Sequence, residues 1–169
     1  MIRKAEKTDF EIISDIYEAE HDLEEKGLIS TGWIRGVYPS KETAETAIKN
    51  GVMFVCEKDG VLGACAKIDE DEPEVYKKAK WRFSGKAMVL HTLVCDPRLQ
   101  GKGFAKELVN FYEELAIKNR CKCLRMDTNV KNIQARNMYK HLGFSEAGEV
   151  DCVFNGIPGM RLVFLEKKL

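Results

Sequence analysis

The sequence lacks a surplus of either charge, a long apolar run and a paired-cysteine signature. Each absence removes a class of function. Its 27 lysines and arginines are balanced by 27 aspartates and glutamates. No basic surplus is available to neutralise a phosphate backbone, and no block of like charge forms a solvated tail, so no nucleic-acid partner is expected. Nothing approaches the ~18 consecutive apolar residues of a membrane-spanning helix, so no membrane partner is expected. The first residues, Met1 to Glu6, turn charged at once and lack the apolar core of a secretory signal. The expected location is the cytoplasm. The six cysteines, Cys56, Cys65, Cys95, Cys121, Cys123 and Cys152, form no CxxC. The close pair Cys121 and Cys123 has no histidine beside it at zinc-ligand spacing, so buried free thiols and no metal site are expected. No repeat or linker divides the 169 residues, a length that suits a single domain over 1–169.

What is present is organised around Met88 to Lys118. Val89 to Cys95 is an apolar run that reads as a buried strand, and Asp96-Pro97 ends it because proline lacks the N–H a central strand needs. Arg98-Leu99-Gln100-Gly101-Lys102-Gly103 follows. Then Phe104, Leu108, Phe111, Tyr112 and Leu115 recur at helical spacing. Strand, glycine turn and helix in that order make an anion site. The first N–H groups of a helix have no partner within it, and the dipole is positive there. Glycines without Cβ let a diphosphate approach the backbone. Two common glycine loops fail. A Walker A loop needs a glycine where Asp96 stands, and GxGxxG needs one at Lys106.

The rest of the chain predicts β, α, α, then antiparallel strands, then β-α-β-α-β-β. Residues 1–5 read as a strand, with Thr8 and Glu11 as the capping box of a helix that ends near Gly27. Gly27 to Ser40 reads as a loop in which Trp33, Arg35 and Tyr38 suit a substrate rim; alternatively Trp33 and Tyr38 only close the core. Ser40 caps a second helix, and Asp59-Gly60 turns a hairpin between strands 52–57 and 61–68. Asp69 to Glu74 is an acidic run, readable as a solvated loop or as a lip that attracts a cationic amine. Strand 121–127, helix 132–141 ended by Gly143, and strands 144–154 and 160–165 complete the order. The expected fold class is α/β of the α+β type, a single domain with a mixed, mostly antiparallel central sheet flanked by helices.

A second block, Asn132-Ile-Gln-Ala135-Arg-Asn-Met-Tyr139-Lys-His-Leu-Gly143-Phe144, stands downstream of the glycine loop. R-x-x-G-x-G after V-x-D-P, followed by N-x-x-A-x-x-x-Y-x-x-x-G-F, resembles the two conserved blocks of the GNAT superfamily of N-acetyltransferases. Together they cover about a third of the chain. The resemblance implies a GNAT-like domain that uses acetyl-CoA as acyl donor. It implies that Leu93, Val94 and Cys95 offer backbone groups to the pantetheine arm at a splay in the sheet. Arg98, Leu99, Gln100, Gly101, Lys102, Gly103, Phe104 and Ala105 would surround the pyrophosphate. Asn132 matches a cofactor contact, and Tyr139 matches the tyrosine that protonates the leaving thiolate. Members often dimerise, so a homodimer is among the implied partners.

The chemistry suits those residue types. A lysine-like ammonium, with pKa ~10.4, must lose a proton before it attacks a thioester, and a phenol, with pKa ~10, is a neutral proton donor at pH 7. His91, two residues before Leu93, is similar in placement to the base of arylalkylamine acetyltransferases. It reads either as the proton acceptor or as a satisfied core histidine. Glu20, Asp69 and Glu70 are lesser candidates. Cys95 reads as a core thiol before it reads as a nucleophile. The acceptor is expected to be a small-molecule amine; a protein N-terminus and a non-catalytic acyl-CoA module are the alternatives.

Overall fold

The computed structural model describes residues 1–169. One seven-stranded sheet carries β1 (Ile2–Lys4), β2 (Met53–Lys58), β3 (Val61–Asp69), β4 (Ala87–Cys95), β5 (Cys123–Asn129), β6 (Ser145–Phe154) and β7 (Ile157–Lys168) in the order β1-β2-β3-β4-β5-β7-β6. Only β4 and β5 run parallel; all other pairs are antiparallel. The helices are α1 (Phe10–Glu25), α2 (Lys41–Lys49), α3 (Phe104–Lys118) and α4 (Ile133–His141). This is the expected α+β domain with a mixed sheet.

Alternation along the strands decides what covers each face. On β2, Phe54 and Cys56 face the α3 and α4 side, whereas Met53 and Val55 face α1 and α2. On β7, Val163 and Leu165 join the α3 core, while Leu162 and Phe164 pack with Tyr76 on the other face. The α3 stripe that meets the sheet is Phe104, Leu108, Val109, Tyr112 and Ala116. Each large side chain there stabilises the fold by roughly 1.5–3 kcal/mol. The Tyr112 hydroxyl donates to the Met88 carbonyl at 2.6 Å and accepts from the Arg125 amide at 3.0 Å, so it ties β4 to β5.

Two irregularities of β4 shape the site. Its pairing with β5 stops at Leu90 and Met126, after which the strands part. Its register against β3 also slips. Three steps from His91 to Val94 face two from Lys67 to Cys65, and Thr92 sits there at φ 50°. An extra residue on one strand bends it and re-aims its side chains.

Several boundaries move for physical reasons. A short turn, Lys7–Asp9, leads into α1 and is fixed by the Asp9 carboxylate, which accepts from the Glu6 amide at 2.7 Å and pairs with Arg3 at 2.6 Å; Thr8 makes no capping bond. Strand β7 begins at Ile157 because Asn155-Gly156, with φ 51° and 78°, makes a tight two-residue turn. The acidic run is not a lip. Glu70 pairs with Lys86, Glu72 with the buried Arg125 and Glu74 with Lys77. Only Asp69 reaches the site described next.

Candidate active site

The glycine turn is uncapped. Gly103, at φ 79°, is the N-cap of α3 and supplies no side chain, and the first helical bond runs from Glu107 N–H to the Gly103 carbonyl at 3.1 Å. The amides of Phe104, Ala105 and Lys106 donate to no carbonyl of the protein. A Cβ built on Gly101 would meet nothing within 4 Å, so the turn opens on free space. Lys58 holds it from behind, donating to the Lys102 carbonyl at 2.6 Å and pairing with Glu107 at 2.7 Å.

Gly63 on β3 seats the helix start. A Cβ there would fall 2.4 Å from the Phe104 ring. Gly63→Ala is expected to push Phe104 and the turn outward. Overpacking of this kind costs about 1–3 kcal/mol. Urea denaturation should show that loss, and calorimetry should show weaker acetyl-CoA binding; wild-type values in both would contradict this seating.

A cleft of about 650 Å³ runs from the turn, past the gap between β4 and β5, to Trp33 and Tyr38. Of the residues expected at the site, Leu93, Cys95, Leu99, Gln100, Gly101, Lys102, Gly103, Phe104, Ala105, Asn132, His91, Tyr139, Trp33 and Tyr38 line it. Three do not. Val94 is buried against α1 and α2, so only its backbone is available. Arg98 turns back on Asp96, with Nε 2.8 Å from the carboxylate, and its guanidinium stands outside the cleft. Arg35 lies on the outer side of α1, bound to Glu18, Asp22 and Glu25. Those carboxylates occupy the donors that a substrate anion would need.

The far wall is pinned to α1. Glu24 accepts from the Thr31 amide and hydroxyl at 2.7 Å and from the Gly32 amide at 3.0 Å. Trp33 meets Tyr38 edge-on at 6.3 Å, and the Tyr38 hydroxyl hydrogen-bonds Thr92 at the bulge. Asn132 caps α4, accepting from the Ala135 amide at 3.2 Å, which leaves its amino group for a ligand.

The titratable groups are differentiated. Tyr139 is 5 % exposed, its hydroxyl makes no hydrogen bond within the protein, and burial pushes the phenol up, so it stays protonated. His91 Nε2 lies 3.1 Å from Asp69 Oδ1, which leaves Nδ1 unbonded. Burial alone would raise the Asp69 carboxyl, but hydrogen bonds from His91 and Lys67 hold it down at about 2. Burial pushes the Cys95 thiol up to about 12, with Glu20 and Cys56 adding to it, so little thiolate forms near neutral pH.

Glu20 has neither a hydrogen bond nor an ion pair. Burial, with Glu24 and Asp96 nearby, moves its carboxyl from 4.5 to about 7. A folded-state pKa above the unfolded one means that the native state prefers the proton. Stability from this group is therefore full below about 4.5 and declines as pH rises through about 7. Glu20→Gln should leave Tm unchanged at pH 4 and raise it at pH 8, as thermal melts across pH will test; an equal shift at both pH values would contradict the assignment.

Sequence reasoning missed Asp127 and Asn129 of β5, Phe154 and Met160, all of which line the cleft. The available signal was the polar run Asp127-Thr128-Asn129 at the end of an otherwise apolar strand.

A parted parallel pair, an uncapped glycine turn and a cleft joining them define an acetyltransferase-type domain. The chain belongs to the acetyltransferase (GNAT) family, which it matches over residues 12–144. That family uses acetyl-CoA as donor and acts on acceptors such as amines. A GNAT-family acetyltransferase from Streptococcus agalactiae superposes with a TM-score of 0.81 at 24% identity, over 100% of this chain and 95% of that one. A second, from Listeria monocytogenes, gives 0.77 at 22% identity, over 100% and 94%. The yncA structure from Salmonella typhimurium, solved with its cofactor acetyl-CoA, gives 0.69 at 18% identity, over 100% and 93%. No curated protein matches the sequence. No helix is long and apolar enough to cross a membrane.

Proposed function

We propose that the protein is an acetyl-CoA-dependent N-acetyltransferase that acts on a small primary amine by direct attack in a ternary complex. One observation carries this reading. The cleft connects an uncapped helix N-terminus to an unpartnered, protonated Tyr139 hydroxyl at the parted strands. A spacious turn whose first helical amides reach no backbone carbonyl fits a CoA diphosphate, and Lys102 and Lys106 beside it add charge complementarity. The donor supplies a thioester; the protein does the rest. Backbone N–H groups of Leu93 and Cys95, on the side of β4 away from β3, would face charge that develops on the acyl oxygen. His91, oriented by Asp69, takes a proton from the attacking nitrogen. The new C–N bond forms as the C–S bond breaks, and Tyr139 gives its proton to the departing sulfur. The protonated Cys95 thiol favours this single transfer over a covalent route.

The strap of residues 28–33, folded over the cleft and tied to Glu24, favours a small acceptor over a protein chain. Release of free thiol from acetyl-CoA across an amine panel tests the proposal. Amine-dependent release supports it. Tight acetyl-CoA binding with no release on any amine would make the protein a binding module instead.

A further inference from the structure

The charges of the cleft are sorted by position. Its lysines, Lys102, Lys106 and Lys131, come from the turns that open α3 and α4. Its carboxylates, Glu20 and Asp127, come from α1 and from β5 beyond the point where β4 leaves it. Neither carboxylate has an ion-pair partner in the protein. Asp127 Oδ2 accepts one hydrogen bond, from the Tyr76 hydroxyl at 2.7 Å, and Oδ1 accepts none. Beside Asp127 the wall is formed by Trp33, Tyr38, Phe154 and Met160. Aromatic rings and a thioether suit methylenes and an ammonium group. No arginine or lysine from this end reaches in to hold a carboxylate or phosphate, because Arg35 is bound to α1.

Resting on the transferase reading and narrowing its acceptor, we infer that the substrate is an aliphatic di- or polyamine. One nitrogen lies at the β4 bulge and a second ammonium group is held by Asp127. The unpartnered Tyr139 hydroxyl, nine-tenths buried, opens on the same space and marks where the first nitrogen meets the thioester. His91 and Asp127 directly follow the last β4–β5 pair, Leu90 and Met126, and both line the cleft with Tyr139, so a ligand of Asp127 shares one space with the reacting atoms. Burial pushes the Asp127 carboxyl up, and an ammonium group beside it acts in the opposite direction, favouring the charged form. Amino acids and phosphorylated amines, by the same sorting, meet unpaired carboxylates and bind poorly.

Calorimetry on protein loaded with CoA, which has no acetyl group to transfer, separates binding from turnover. The probes are 1,5-diaminopentane and pentylamine. The diamine is expected to bind roughly ten- to a hundredfold more tightly, the worth of one hydrogen bond to a charged group. Asp127→Asn should bring the two to parity and leave pentylamine unchanged. Tyr76→Phe, which keeps the carboxylate, should retain the preference. Equal affinities in the wild type, or a preference that survives in Asp127→Asn, would overturn the inference. Should Asp127→Asn fail to fold, the wild-type and Tyr76→Phe ratios decide. Absence of thiol release would count against the transferase reading alone, since diamine selectivity is read without chemistry.

Discussion

Tyr139→Phe is expected to keep acetyl-CoA affinity and to lower kcat by about 10²–10⁴-fold, the usual contribution of a positioned proton donor. The phenol is buried, protonated and free of any partner in the protein, so removing its oxygen leaves no orphaned group behind. Its ring stays packed edge-on against Phe144, at 5.9 Å. The fold therefore has little reason to change, and Tm should remain near wild type. The check is single-turnover acetyl transfer, where chemistry is observed before product release. An unchanged rate would remove Tyr139 from the reaction and reduce its place in N-x-x-A-x-x-x-Y to packing.

His91→Gln is the second large effect, again about 10²–10⁴-fold in kcat. The imidazole is fixed at the edge of the β4 bulge by Asp69, whose carboxylate stays ionised far below neutral pH. Asp69→Asn should cost less, because the base survives and loses only its orientation. Glu20→Gln provides the contrast. Its ionisation near pH 7 changes the charge of the acceptor end, so the variant should raise KM for cationic amines above pH 7 and leave kcat within a few-fold. A collapse of kcat in Glu20→Gln with near-normal His91→Gln would exchange the two roles.

Much of this was legible in the chain because it is local. The strand pair around the Asp59-Gly60 hairpin, the Ser40 cap and the glycine turn each depend on neighbours a few residues apart. The two motifs supplied the helix starts and Tyr139. What failed was non-local. Arg35 reads as part of a substrate rim in sequence, but α1 presents Glu18, Asp22 and Glu25 to it across the loop. Arg98 is a local exception, satisfied by Asp96 two residues earlier. Glu72 looked free until β5 placed Arg125 beside it, stacked on Trp81 at 4.6 Å. Asp127 was overlooked because a carboxylate inside a strand announces nothing until the strand beside it leaves.

The most direct test of the account is a crystal soaked in acetyl-CoA. The account predicts diphosphate oxygens against the amides that open α3, the thioester beside Leu93 to Cys95, and sulfur within reach of the Tyr139 hydroxyl. A diphosphate bound away from that turn, with the amides of Phe104 to Lys106 facing only solvent, would contradict it.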